Sequence, residues 1–169
     1  MAAPPVASLA RVAIVAMDPG CDLAFSAQYN PAQLQLDESA NWSPHPNGKA
    51  NLPSMEFTGG GARTLSLELF FDTYESGGSV KTAFVDALTR LVRVIDPDGP
   101  EEQKRPPIVQ VRWGTGMPTF IGVINSLSTK LTMFLPDGTP VRATCSVKLT
   151  EASFESFQPR PANRVTRPR

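Results

Sequence analysis

From Val141 to Thr150 the chain alternates without a break. Val141, Ala143, Cys145, Val147 and Leu149 are apolar, and Arg142, Thr144, Ser146, Lys148 and Thr150 between them are polar. Side chains of an extended strand point alternately to opposite faces, so this run commits the segment to a sheet with one buried and one hydrated side. The preceding Pro136-Asp137-Gly138-Thr139-Pro140 links it to a second extended run ending at Phe134. Gly138 can take positive φ and the flanking prolines fix φ, which predicts a β-hairpin. The apolar side covers a core, whereas the hydrated side is long and regular with no evident chemical task.

Alternation recurs elsewhere. Leu23, Phe25, Ala27 and Tyr29 share one face of a strand that Asn30-Pro31 ends, because proline lacks the ladder donor and restricts the residue before it. Leu65, Leu67, Leu69 and Phe71 mark another strand, Ile108 to Trp113 a third, and Thr119 to Phe134 a long one with a bend or bulge near Gly122 or Asn125. An apolar run from Val12 to Met17 gives a first strand after a loose arm, residues 1–9. Residues 39–63 are rich in proline and glycine and read as a long, mostly irregular loop with one strand around Met55 and Phe57.

A single helix is expected at about 80–95. Val80, Ala83, Phe84, Ala87, Leu88, Leu91, Val92 and Ile95 form a stripe of period 3.6. Ser79 stands at the N-cap, Asp86 and Arg90 are one turn apart, and Asp96-Pro97-Asp98-Gly99-Pro100 stops the helix.

At 169 residues the chain fits one domain, taken as 1–157, followed by a basic Pro/Arg tail at 158–169. Sixteen basic and sixteen acidic side chains cancel, so the charge gives no reason to expect nucleic acid or an anionic membrane. The six apolar residues from Val12 to Met17 are too few for a signal peptide or a span, and no later segment reaches the length of a membrane helix. The expectation is a soluble protein, cytoplasmic at synthesis.

Chemistry-bearing motifs are sparse, and no catalytic, metal or cofactor residue is assigned. His45 is the only histidine and sits between prolines, so no triad or multi-histidine metal site can form around it. The glycines of residues 58–63 lack the Lys-Ser/Thr of a phosphate loop and precede a strand. Glu56 with Glu68, or Asp18 with Asp22, are carboxylates of the kind found solvated on most surfaces. Trp113 ends an alternating strand and reads as core, leaving Trp42 without a stacking partner for a sugar or base platform. Cys21 and Cys145 lie far apart and read as buried free thiols.

"FSAQYNP" at 25–31, Trp42, "FTGGGARTLSLELFFDTYESG" at 57–77, "RPPIVQVRWG" at 105–114 and "FIGVINSLSTKLTMFLPDGTPVRATCSVKLTE" at 120–151 occur in this order. Together they resemble the tube-like proteins of contractile injection systems, which are phage-tail-derived particles, over roughly residues 10–155. The resemblance implies a mainly β, tail-tube-like fold: a small β-barrel of two packed antiparallel sheets with one flanking helix, six copies closing into a ring. It implies a structural adaptor in the baseplate, joining the spike hub to the inner tube, with the particle as its final location. Self, the hub protein, the inner-tube protein and other baseplate subunits are the implied partners. Many relatives continue into a peptidoglycan-binding LysM-type domain, and only the short tail follows here, so attachment of that type is not expected of this subunit.

On this reading Arg142, Thr144, Ser146 and Lys148 face a water-filled lumen, and Trp42, Phe57, Arg63, Arg160 and Arg164 contact neighbouring subunits. The alternating pattern itself fits an ordinary solvent-facing sheet equally well. Two other functions remain open: an inner-tube subunit of the same fold, and, in a different class, a monomeric β-barrel that binds a ligand. Copy number per particle separates the first from an adaptor, and assembly state separates the second.

Overall fold

The computed structural model describes residues 10–46 and 52–152. Nine antiparallel strands are present there: β1 (Val12–Ala16), β2 (Ala24–Ser26), β3 (Leu34–Asp37), β4 (Ala40–His45), β5 (Ser54–Gly60), β6 (Thr64–Asp72), β7 (Val109–Trp113), β8 (Phe120–Phe134) and β9 (Pro140–Glu151). Seven form one sheet in the order β2-β1-β7-β8-β9-β6-β3, and β4 and β5 form a separate hairpin. The fold is mainly β with one short helix, as expected. The large sheet does not close into a barrel, because β2 and β3 at its two edges are not hydrogen-bonded to each other.

The sheet nevertheless folds over on itself. Phe25 of β2 and Phe71 of β6 lie five strand positions apart, about 24 Å across a flat sheet. Their rings meet edge to face with centroids 5.8 Å apart. The β2-β1-β7 half therefore faces the β9-β6 half, and Val12, Ile14, Val109 and Val111 share one core with Leu65, Leu69, Ala143 and Val147. Near the open seam a side chain substitutes for a strand. The Gln28 amide donates to the Asp72 carbonyl at 2.8 Å and accepts from the Asp72 N–H at 2.9 Å.

The β8–β9 hairpin forms as its sequence dictates. Gly138 has φ +87°, and its N–H donates to the Leu135 carbonyl at 2.9 Å. The side chain of Asp137 accepts the Thr139 N–H at 2.9 Å. The register of β8 on β9 shifts between Ile124 and Ser126, so the bulge falls at Asn125. Gly122 is required for a different reason: a Cβ there would lie 2.1 Å from the Thr150 carbonyl oxygen.

The helical segment is shorter than its periodicity predicts. A π-helical turn at Lys81–Val85 runs into helix α1 (Asp86–Arg90), with the Asp86 N–H reaching back to the Lys81 carbonyl. The wide first turn adds a residue and rotates the stripe, so Val85 is buried and Ala83 is exposed. Val80, Leu88 and Leu91 stay in the core, and Phe84 stacks on Phe71 at 5.0 Å. Leu91 and Val92 donate to carbonyls three residues back, tightening the end. Ile95 and Asp96 then bond to the carbonyls of Arg105 and Gln103 instead of continuing the helix. No side-chain cap bond is made at its start, where Ser79 contributes its carbonyl to the Ala83 N–H. Asp86 pairs with Lys81 at 2.7 Å, not with Arg90.

Residues 39–63 hold two strands where one was expected. β4 and β5 pair from Ala40↔Gly60 to His45↔Ser54, with a bulge between Asn41 and Trp42. Strand β3 lies in a stretch that the sequence pattern does not mark as a strand. Conversely, β2 covers only three residues, and Tyr29 emerges on the surface.

Candidate assembly surfaces

The outer face of the large sheet is set by register. On β9, Val141, Ala143, Cys145, Val147 and Leu149 are buried while Arg142, Thr144, Ser146 and Lys148 point away from the core. Lys148 opposes Ser66 and Ser126, Ser146 opposes Glu68 and Ser128, and Thr144 opposes Phe70 and Lys130. Three neighbouring strands thus present one polar surface with small hydroxyl side chains near its middle. Among the described residues neither Lys130 nor Lys148 makes an ion pair.

Arg142 is different. Its Nε donates to Asp72 Oδ2 at 2.9 Å, and its guanidinium lies 5.8 Å from the Phe70 ring centroid. The Tyr74 N–H, donated to Asp72 Oδ1 at 2.8 Å, and secondarily Arg142 hold the Asp72 carboxyl below the usual range. The charge of Arg142 is therefore largely matched within the chain.

The β4–β5 hairpin presents the opposite surface. Every residue of β4 is exposed. Trp42 and Phe57 are cross-strand partners with ring centroids 5.4 Å apart, yet they remain 55% and 56% exposed. Leu52 and Met55 are also exposed, which leaves an apolar arm that nothing among the described residues covers. His45 lies at the end of β4 and contacts the Glu56 carboxylate on β5.

Arg63 ties this arm to the sheet. Its Nε donates to Glu151 Oε2 at 2.7 Å and a second guanidinium nitrogen meets Glu151 Oε1. Glu38 lies 3.5 Å away on another side. The fork engages β9 just before the hairpin's return strand enters β6, and it holds the Glu151 carboxyl below its ordinary value. Arg63 is thus engaged internally, while Trp42 and Phe57 are free at the surface. Arg160 and Arg164 lie outside the described residues.

The other candidate groups are separated or structurally occupied. Asp18 accepts from Arg105 and from the Ile108 N–H, both at 2.7 Å. Glu56 is on the hairpin and Glu68 on the outer sheet face. Gly59 and Gly60 end β5, and Trp113 packs against the core. Cys21 and Cys145 are buried and unbonded to each other, and burial pushes the Cys145 thiol up. Among the described residues no three His, Cys, Asp or Glu side chains gather to hold a metal, and no helix is long and apolar enough to cross a membrane.

This is a β-sheet protein whose distinctive chemistry is spread over surfaces. The profile of a family described as contractile injection system tube protein matches residues 12–159, and the chain belongs to that family. No curated protein matches it. Membership makes it a component of a contractile injection system that assembles with other tube or baseplate subunits. The resemblance in its motifs is thereby confirmed at the level of the family.

Proposed function

We propose that this chain is a structural adaptor of the baseplate, forming a six-membered ring that joins the spike hub to the inner tube and carries no catalytic centre. The observation that bears most weight is the twelve-residue strand β9, buried on one side and hydrated on the other. Its outer residues Arg142, Thr144, Ser146 and Lys148 line the lumen in this reading. Short hydroxyl side chains near the middle of this face suit a wall that must stay wet without gripping what passes.

The exposed hairpin supports a lateral contact. Two strands with no core of their own are marginal in water, and an apolar arm of this kind is a mark of an interface. In the ring, Trp42 and Phe57 press on a neighbouring subunit, and Arg63 fixes the angle at which the arm leaves. Arg160 and Arg164 make a further subunit contact. Ring closure also covers the edges at β2 and β3, which would otherwise template open-ended pairing.

Electron-microscopic reconstruction of the native particle tests the assignment. An adaptor occupies one or a few sixfold rings between the spike and the tube. Repetition of this chain along the full tube length would make it the inner-tube subunit.

A further inference from the structure

A cleft of 490 Å³ opens at the Asp72–Arg142 end of the sheet, lined by Gln28, Tyr29, Tyr74, Glu75, Phe84 and Arg142 among others. Its walls are fixed by the Gln28 bridge to the Asp72 backbone and by Thr73, whose hydroxyl donates to the Gly78 carbonyl at 2.6 Å. Its rim is aromatic: Tyr29 and Tyr74 are 51% and 53% exposed, and the Tyr29 ring lies 6.0 Å from Phe70. Asp72 is matched by Arg142, whereas Glu75 makes no ion pair among the described residues. Exposed aromatic rings beside an unmatched carboxylate suit an extended basic peptide containing proline. Proline packs into aromatic slots, and arginine both stacks on rings and pairs with carboxylates.

The chain itself supplies such a peptide. Residues 158–169, QPRPANRVTRPR, contain three prolines, four arginines and no acid. Strand β9 leads away from the cleft, and its nine steps from Arg142 to Glu151 cover about 30 Å. Glu151, where β9 ends, therefore lies at the end of the sheet opposite the chain's own cleft. Returning would use up about nine extended residues before any contact was made. A second copy stacked end to end would bring its cleft close to the end of β9.

We propose that residues 158–169 of one copy dock in the Tyr29–Tyr74–Glu75 cleft of an axially adjacent copy, linking consecutive rings. The choice of an axial neighbour rests on the tube-layer reading above and needs at least two stacked rings of this chain, but the peptide–cleft recognition depends on neither.

The test uses the full-length chain, diluted until sedimentation shows a monomer, and a fluorescent peptide of residues 158–169 followed by anisotropy. Saturable binding is expected. Tyr74→Ser and Glu75→Lys, both on the surface, should each weaken it about tenfold or more, with unchanged thermal melting as the control for folding. A peptide with its four arginines replaced by glutamate should not bind. Failure of the full-length monomer to bind overturns the proposal, whether the cleft has no affinity or is filled by the chain's own tail. Binding that both variants leave unchanged overturns it too. Neither result alters the ring assignment, which is judged by particle symmetry.

Discussion

The β6–β9–β8 sheet and the β4–β5 hairpin share antiparallel pairing but are held by different forces. In the sheet each strand hides one face: Leu65, Leu69, Phe71, Ala143 and Cys145 are fully buried, and Leu88 of the helix is buried with them. In the hairpin no residue is buried. Hydrophobic burial fixes the first, while the second relies on its ladder, one aromatic pair and the Arg63–Glu151 tie at its base. Residues that determine whether the chain folds are thus separated from those available to a neighbour, so fold and assembly should respond to different substitutions.

The strongest way to break the sheet is to place a charge at its centre. Leu88→Asp buries an unpaired carboxylate and should cost more than about 4 kcal/mol, enough to abolish soluble folded protein. A normal yield with normal melting would show that the helix does not close the core. Next is Gly122→Ala, whose methyl would collide with the Thr150 carbonyl. Forced separation of β8 from β9 should cost about 2 kcal/mol, read as a lower denaturation midpoint.

The hairpin should behave in the reverse manner. Trp42→Ala removes the hairpin's aromatic pair but no core contact, so it is expected to change unfolding free energy by no more than about 1 kcal/mol. It should nevertheless reduce incorporation into particles severely. Loss of stability without loss of incorporation would reverse the roles assigned to the two regions.

Arg63 connects them and gives a pH signature. Glu151 is held below its ordinary pKa by Arg63, so its stabilising contribution is present above the unfolded carboxylate value and lost as pH falls through the lower folded one. Arg63→Ala should return Glu151 toward its ordinary value in an NMR titration and flatten the acid limb of the stability curve. An unmoved Glu151 titration would mean that the fork does not persist in solution. The smallest effect is expected for His45→Ala, since the His45–Glu56 contact is exposed and such pairs contribute little. Wild-type assembly is the expected outcome, and an assembly defect would locate a contact at the hairpin end.

Strand β9 was legible residue by residue because burial on one side imposes period two over its whole length. The helix was legible as an apolar stripe, but not in phase or extent. A π turn at Lys81–Val85 shifts the pattern by a residue, and the backbone of Ile95 and Asp96 finds partners at 103–105. β3 carries little sequence signal because it is four residues long and Leu36 on it is exposed. The hairpin was obscured by Pro44 and by Gly59 and Gly60, turn formers that strands with a free edge tolerate. The Gln28 bridge and the cleft beside it have no sequence signal, since they depend on a turn and a strand end 44 residues apart. For the outer face, sequence gives polarity alone: alternation looks the same whether the water beyond it is bulk or enclosed.

Symmetry within the assembled particle tests that distinction most directly. A reconstruction that resolves this chain should show six copies around the axis, with Arg142, Thr144, Ser146 and Lys148 lining the lumen and Trp42 and Phe57 against a neighbouring subunit. A ring of any other number, or a position outside the axial tube, would contradict the account.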